Sequence, residues 1–305
     1  MDLRQLAALT AVADTGTFSA AADVLHTVQS NVSTHVARLE RELGVTLVDR
    51  AAGRLTDEGE AVVARARRIQ AELDALVADV SALRDDVAGH VRMGMLGTTG
   101  RWLVPRLLAA AEERHPRIRV SVLEGNTTNL VPQLVWGELD MAVLNLPVDD
   151  ADVTIEPLFE EDLILAAPLD HPLAGRDEVT MEELSRTELV LLPKGTAFRA
   201  DLDRAADEAG VELHAKAEMD GLRLIASLTF EGFGASILPA TAIPRWLTGA
   251  WRTVPIAGIP RRQVGLGRRR RGLPSAPARA LRDVLYDVVA AEGPGLPGVH
   301  PTESG

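Results

Sequence analysis

The sequence predicts a chain of the α/β class in three parts: an N-terminal winged helix-turn-helix, a long coiled-coil linker helix and a larger α/β domain. Three observations carry this. Three short amphipathic segments precede residue 60, an unbroken apolar repeat runs from Val62 to Val87, and strand-like and helix-like segments alternate from Val91 onward. At 305 residues the chain exceeds one typical domain of ~100–200 residues. Hydrophobic residues at 46% and charged residues at 25% exclude disorder for the bulk of it.

The first segment sets Leu3, Leu6, Leu9 and Val12 at helical spacing and ends at Thr15-Gly16. Ser19 is read as the N-cap of a second, short helix carrying Ala20, Ala21, Val24 and Leu25. After a turn at His26-Thr27, Val32, Val36, Leu39 and Leu43 mark a third helix that Gly44 closes. A tight turn between helices two and three is the pattern of a helix-turn-helix. With Val32, Val36 and Leu39 inward, the outward arc of helix three holds Ser30, Ser33, Thr34, Ala37, Arg38 and Arg41, with Gln29 and Asn31 at its start. Short hydroxyls and amides there can reach base edges, and arginines further along can reach phosphates. Residues 45–55 read as a two-stranded wing around Ala51-Ala52-Gly53, with Arg50 and Arg54 beside the backbone or minor groove. A second reading stays open at this point: solvated polar positions on a small helical domain.

Charge argues against nucleic acid when taken as a sum. The formal net charge is -12, and residues 1–60 hold five arginines against nine acids. Four of those arginines (Arg38, Arg41, Arg50 and Arg54) nevertheless fall on the third helix and wing, offset there only by Glu40, Glu42 and Asp49. The expectation is a modest number of phosphate contacts and a shallow salt dependence.

From Val62 the apolar positions Ala66, Ile69, Leu73, Leu76, Val80, Leu83 and Val87 follow at spacings alternating four and three. That is a heptad seam, which points to dimerisation through a coiled coil. Thr56 is placed to cap the helix, and Asp57 and Glu58 favour the positive end of its dipole.

Beyond it, Val91, Met93 and Met95 alternate, and Gly97-Thr98-Thr99-Gly100 leads into a helix with Leu103, Leu107 and Leu108. Val120 and Val122 follow, then a helix opened by Gly125-Asn126-Thr127-Thr128, then the strand Met141–Leu146. Further strands are read at 163–167, 189–192, 215–219 and 235–238. Strands alternating with helices imply parallel sheets with crossovers, and ligands in such folds sit where strand ends meet helix N-termini. Thr98, Thr99 and Gly100, Asn126 and Thr128, and Thr196 in Lys194-Gly195-Thr196 are the candidate effector contacts. Free N–H groups and dipoles there suit a small anion.

No catalytic constellation emerges, and the chain is read as not an enzyme. With no cysteine, disulfides, thiol nucleophiles and cysteine-ligated metals are excluded. The seven histidines form no metal-ligand spacing, so neither a metal site nor a cofactor is expected. Ser236 lacks the closing glycine of a nucleophile elbow. Gly265-Leu266-Gly267 is read as a turn, Arg268–Arg271 as a charged turn before the last helix, and the tail 293–305 as disordered. No apolar run approaches the ~18 residues of a membrane span, and the N-terminus lacks the features of a signal peptide, so the expectation is a cytoplasmic protein without a membrane partner.

The runs GTFSAAADVL, QSNVSTHVARLERELGVTLVDR and LTDEG come in order. Leu134-x-x-Gly137-x-Leu139-Asp140, His171-Pro172-Leu173-Ala174 and Gly232-x-Gly234-x-x-Ile237-Leu238-Pro239 follow them. By these motifs the chain resembles the LysR-type transcriptional regulators over nearly its whole length. The resemblance implies domains at 1–58 (winged helix-turn-helix), 59–88 (linker helix) and 89–292, the last a two-lobed, periplasmic-binding-protein-like regulatory domain. Lobe I would be 89–159 with 265–292 and lobe II 160–264, with a small effector between them. Gln29, Ser30, Ser33, Thr34 and Arg38 would meet the major groove, and Arg50 and Arg54 would sit on the wing. Thr34, Ser30 and a wing about two residues short with Val48 in place of an aromatic depart from the family's pattern. The implied partners are double-stranded DNA at an imperfect palindromic promoter site, the effector, a homodimer or homotetramer, and RNA polymerase. The competing reading is a cytoplasmic small-molecule binding protein without DNA activity, which would need neither the heptad seam nor the helix-turn-helix.

Overall fold

A computed structural model describes residues 1–83, 87–244 and 246–302. It divides into two compact units, Met1–Val77 with Trp136–Glu138, and the rest of the chain from Ala78. In the first unit, helices α1 (Leu3–Thr15), α2 (Phe18–Val24) and α3 (Gln29–Leu43) enclose a core in which Leu9, Val32, Val36, Leu39 and Leu47 are fully buried. Asp2 and Gln5 form a capping box on α1, and Gly16 and Gly44 close α1 and α3 at φ +74 and +73, the left-handed region that favours glycine. The cap of α2 is Thr17, not Ser19. Thr17 is extended, and its hydroxyl accepts the Ala20 N–H at 3.1 Å, which puts Ser19 inside the first turn. Strands β1 (Val48–Asp49) and β2 (Arg54–Leu55) form the wing, pairing Val48 with Leu55 and Asp49 with Arg54.

Helix α4 (Asp57–Ala82) starts at Thr56, whose hydroxyl accepts the Gly59 N–H at 3.0 Å. Val63 and Ala66 pack into the helix-turn-helix core. Further along, Ile69, Leu76 and Val80 are 40%, 61% and 52% exposed. The helix is shorter than the expected 59–88: Leu83 stands in a turn, Val87 is outside the helix, and 84–86 lie outside the described residues.

The second unit opens with β3 (Gly89–Leu96), α5 (Gly97–Arg114), β4 (Ile118–Gly125), α6 (Thr127–Trp136), β5 (Met141–Asn145) and β6 (Val153–Glu161). The chain then builds a second lobe from β7 (Leu163–Pro168), α7 (Met181–Ser185), β8 (Glu188–Leu191), α8 (Ala197–Glu208), β9 (His214–Glu218), α9 (Leu222–Phe230), β10 (Ser236–Pro239) and β11 (Trp251–Pro255). It returns through β12 (Arg262–Arg269), α10 (Ala276–Glu292) and β13 (Val299–Pro301). The first-lobe sheet runs β13-β6-β12-β5-β3-β4, and in the second lobe β7 lies between β10 and β11 while β8 pairs with β9.

The sheets are mixed, not parallel throughout. β3 pairs in parallel with β4 and β5, but β12 is antiparallel to both β5 and β6, because the returning chain enters the sheet from the second lobe. Glu161 and Arg262 are register partners within that sheet, so the lobe crossings fall at Asp162 and Arg261, slightly inside the expected 159/160 and 264/265. Gly265 and Gly267 are strand residues, where a Cβ would meet Ile155 at 2.9 Å and Leu144 at 2.6 Å. Arg268 and Arg269 belong to the same strand. The expected disorder of the tail does not hold for 293–302: β13 adds to the sheet edge beside β6, and Thr302 donates its N–H to the Leu158 carbonyl.

Candidate DNA interface and ligand cleft

The outer face of α3 follows from its buried face. With Val32, Val36 and Leu39 in the core, Gln29, Ser30, Asn31, Thr34 and Arg38 are exposed and Ser33 is half-buried. The start of α3 carries no side-chain cap, so its first N–H groups face outward, as at phosphate-binding helix ends. Thr34 donates its hydroxyl to the Ser30 carbonyl at 2.7 Å, and Asn31 donates to the Thr27 hydroxyl at 3.0 Å. The wing is tied to this helix by Arg50. Its Nη1 donates to Ser33 Oγ at 3.2 Å, and its guanidinium lies 4.9 Å over the Phe18 ring. Gln29, Ser33, Arg50 and Arg54 thereby line one groove of about 610 Å³. Ser30, Asn31, Thr34 and Arg38 lie outside it. The side chains of Arg38 and Arg54 make no ion pair or hydrogen bond among the described residues.

In the second unit, four helix N-termini open on one cleft between the lobes, a cavity of about 280 Å³. Leu96, Gly97 and Thr98 bring the start of α5, Asn126 and Thr127 that of α6, Thr196 and Ala197 that of α8, and Gly221 and Leu222 that of α9. Asn126 caps its own helix, accepting the Asn129 N–H at 2.9 Å. The other three ends carry no side-chain cap, which leaves their first-turn N–H groups and positive dipole ends to the cavity.

Arg262 enters the same cavity from β12. Its side chain is 2% exposed, its Nη1 and Nη2 donate to Thr98 Oγ1 at 3.3 Å and Thr99 Oγ1 at 3.2 Å, and its Nε has no partner among the described residues. Burial pushes this guanidinium below arginine's usual range, opposed by Glu161 and Asp201. Glu161, fully buried, sits 3.7 Å from Arg262 Nη1 and accepts the Thr241 N–H at 2.6 Å. Because the two threonine oxygens accept from Arg262, their own hydroxyl hydrogens remain available as donors. Three polar bridges span the cleft: Asn145 to Asp201 at 2.7 Å, Asn126 to Asp220 at 2.9 Å, and the Glu124–Arg223 ion pair.

Of the expected effector contacts, Thr98, Asn126 and Thr196 stand on the cavity wall. Thr99 is buried against Arg262 and off the cavity wall. Two expectations fail on helix phase. Gly100 is turned under Met95, where a Cβ would meet Met95 Cγ at 2.8 Å, and Thr128 is exposed on α6 away from the wall. Arg101 donates to the Ala242 carbonyl and Lys194 faces Glu212 on the surface, so neither lines the cleft. Sequence reasoning missed Arg262, Asn145 and the α9 end. The last was findable, since Gly221 follows a predicted strand as Thr98 does; Arg262, 164 residues from Thr98, offered no local signal.

Residues 3–60 match the family described as bacterial regulatory helix-turn-helix protein, lysR family, and residues 84–290 match the LysR substrate binding domain. The chain belongs to the LysR family of transcriptional regulators. This LysR-type regulator is 34% identical over 302 residues to a probable hydrogen peroxide-inducible genes activator of Streptomyces viridosporus, covering 94% of this chain and 95% of that one. Among solved structures, a cysteine-to-aspartate variant of full-length OxyR from Pseudomonas aeruginosa matches with a TM-score of 0.77 and 28% identity, over 100% of this chain and 99% of that one. Full-length CbnR complexed with its target DNA matches at 0.69 and 26%, over 95% and 99%. The LysR-type regulator is thus a DNA-binding protein with an effector-binding domain.

Proposed function

We propose that this LysR-type regulator binds an imperfect palindromic promoter site as a homo-oligomer, and that a small anion held in the inter-lobe cleft modulates its action. The observation that carries the effector reading is the convergence of three uncapped helix ends on Arg262 and the Thr98 hydroxyl. These groups are donors or positive poles, which is what a carboxylate or an inorganic oxyanion requires, and the carboxylates on the same wall, Glu124 and Asp220, are held by Arg223 and Asn126. A cleft of about 280 Å³ suits a small effector. Thr98, Thr196, Asn126 and the N–H groups at 97–98, 197–198 and 222–223 are its contacts, with Thr99 holding Arg262 in place.

Gln29 and Ser33 are assigned to base edges, with Ser30, Asn31 and Thr34 beside them, and Arg38, Arg50 and Arg54 to phosphates. The exposed seam on α4 supports pairing of two chains. Among the described residues no helix is long and apolar enough to cross a membrane, in keeping with a regulator that works on DNA in the cytoplasm.

The Streptomyces viridosporus relative carries a name that concerns hydrogen peroxide. This chain has no cysteine, so a response by thiol oxidation to a sulfenic acid or a disulfide has no group to act on. Reversible binding in the cleft is the reading its residues support. Sequencing the DNA recovered with the regulator from its own cells tests the DNA part of the proposal. The expected outcome is a set of imperfect palindromes with half-sites a whole number of ~34–36 Å helical turns apart. Bound DNA without a shared two-fold motif contradicts it.

A further inference from the structure

Phe18, the first residue of α2, serves two surfaces at once. It is half-buried and packs against the helix-turn-helix core, and it also lines the groove shared by Gln29, Ser33, Arg50 and Arg54. The Arg50 guanidinium lies over its ring, 4.9 Å from the centroid, while Arg50 Nη1 donates to Ser33 Oγ at 3.2 Å. α2, α3 and the wing therefore meet on one arginine.

The backbone beneath that arginine is fixed as well. Arg50 opens the turn between β1 and β2, where Asp49 Oδ1 accepts the N–H groups of Ala51 and Ala52 at 3.0 Å each. Gly53, at φ +66, donates to the Asp49 carbonyl at 2.8 Å. The Asp49 carboxylate is thus turned to the backbone, and the Arg50 side chain forms no ion pair among the described residues. That distinction decides what the arginine can do. A carboxylate would hold the guanidinium but also neutralise it, and the pair would have to break when a phosphate arrived. A ring face and a hydroxyl oxygen hold the plane and leave the charge whole, with Nε and Nη2 still able to donate. The side chains of Arg38 and Arg54 have no such hold, so they lose rotamer freedom on meeting DNA.

We propose that Phe18 is a positioning residue for DNA binding, which holds Arg50 in its bound orientation before DNA arrives. The ordering of this side chain is then complete in the free protein and is not charged against binding. The proposal rests on the assignment of Arg50 to a phosphate. Such a contact carries no base information, so Phe18 affects every sequence alike. It also leaves the number of phosphates contacted unchanged, so Phe18 sets the affinity and not its salt dependence.

The test is fluorescence anisotropy of a labelled duplex of mixed sequence, titrated with the full chain at several salt concentrations. Phe18→Leu keeps an apolar side chain without a ring face. It should weaken binding about threefold, with the slope of log affinity against log salt unchanged. Phe18→Tyr keeps the ring face and should bind as the unaltered chain does. Arg50→Ala should lower the slope by about one, and in that background Phe18→Leu should cost nothing further. A second readout needs no substitution at Phe18: the Arg50 Nε–H signal in ¹⁵N NMR, identified by its loss in Arg50→Ala, should stand upfield through the ring current of Phe18. No loss of affinity in Phe18→Leu, an equal loss in Phe18→Tyr, a loss that persists without Arg50, or an Arg50 signal free of ring-current shift overturns the proposal. An unchanged slope in Arg50→Ala would reject the phosphate assignment itself, and the proposal with it.

Discussion

Arg262 concentrates the chemistry of the regulatory unit in one side chain. It is buried, faces a buried carboxylate at a distance longer than a hydrogen bond, and spends two of its three nitrogens on threonine hydroxyls. Removing one partner of such a pair leaves the other uncompensated, which costs about 3–5 kcal/mol, whereas removing both charges is far cheaper. Arg262→Met should therefore lower the urea stability of this unit by about that amount, and Glu161→Gln/Arg262→Met should recover most of the loss. Tryptophan fluorescence reads it, since Trp102, Trp246 and Trp251 lie in this unit. Losses that add up in the double variant would mean the two groups do not interact. The neighbouring threonines were legible from sequence, because a strand ending in Gly-Thr-Thr before a helix is a local pattern. Their occupation by an arginine was not, since that contact is made by the topology of the returning strand.

At the scale of elements, α3 and α4 carry the readable signals. The 4-3 repeat was legible because a heptad depends only on spacing, while the end of the helix at Ala82 was not: the apolar positions Leu83 and Val87 continue the period beyond the backbone that could use them. In the single chain Leu76 and Val80 are exposed, which suits the proposed pairing of two α4 helices. Leu76→Glu/Val80→Glu should leave the chain folded and reduce its sedimentation mass by half; an unchanged mass would remove α4 from the interface. On α3, Arg38→Ala should weaken DNA of every sequence alike and reduce the slope of log affinity against log salt by about one. Ser33→Ala should change which site is preferred, both by removing a hydroxyl and by releasing Arg50 from its 3.2 Å contact. Gel-shift titrations against a site library check both, and a change of preference in Arg38→Ala with none in Ser33→Ala would reverse the assignment.

For the molecule as a whole, the division into a DNA-binding part, a helix and a two-lobed regulatory part was written in local periodicity and in family motifs. The mixed sheet, the crossings at Asp162 and Arg261 and the ordered tail were not, because each depends on pairing between strands distant in sequence. The strand read as a Gly-Leu-Gly turn shows why: small residues packed under Leu144 and Ile155 look like a turn until the neighbouring strand is known. The same long-range assembly brings three uncapped helix ends together with Arg262, and the account of regulation stands on that convergence. Soaking crystals in selenate, a compact oxyanion with strong anomalous scattering, tests it most directly. The prediction is an anomalous peak in the inter-lobe cleft, within hydrogen-bond distance of the N–H groups at the starts of α5, α8 and α9 and of Arg262. A cleft without such a peak, in crystals where selenate is found on the surface, would contradict it.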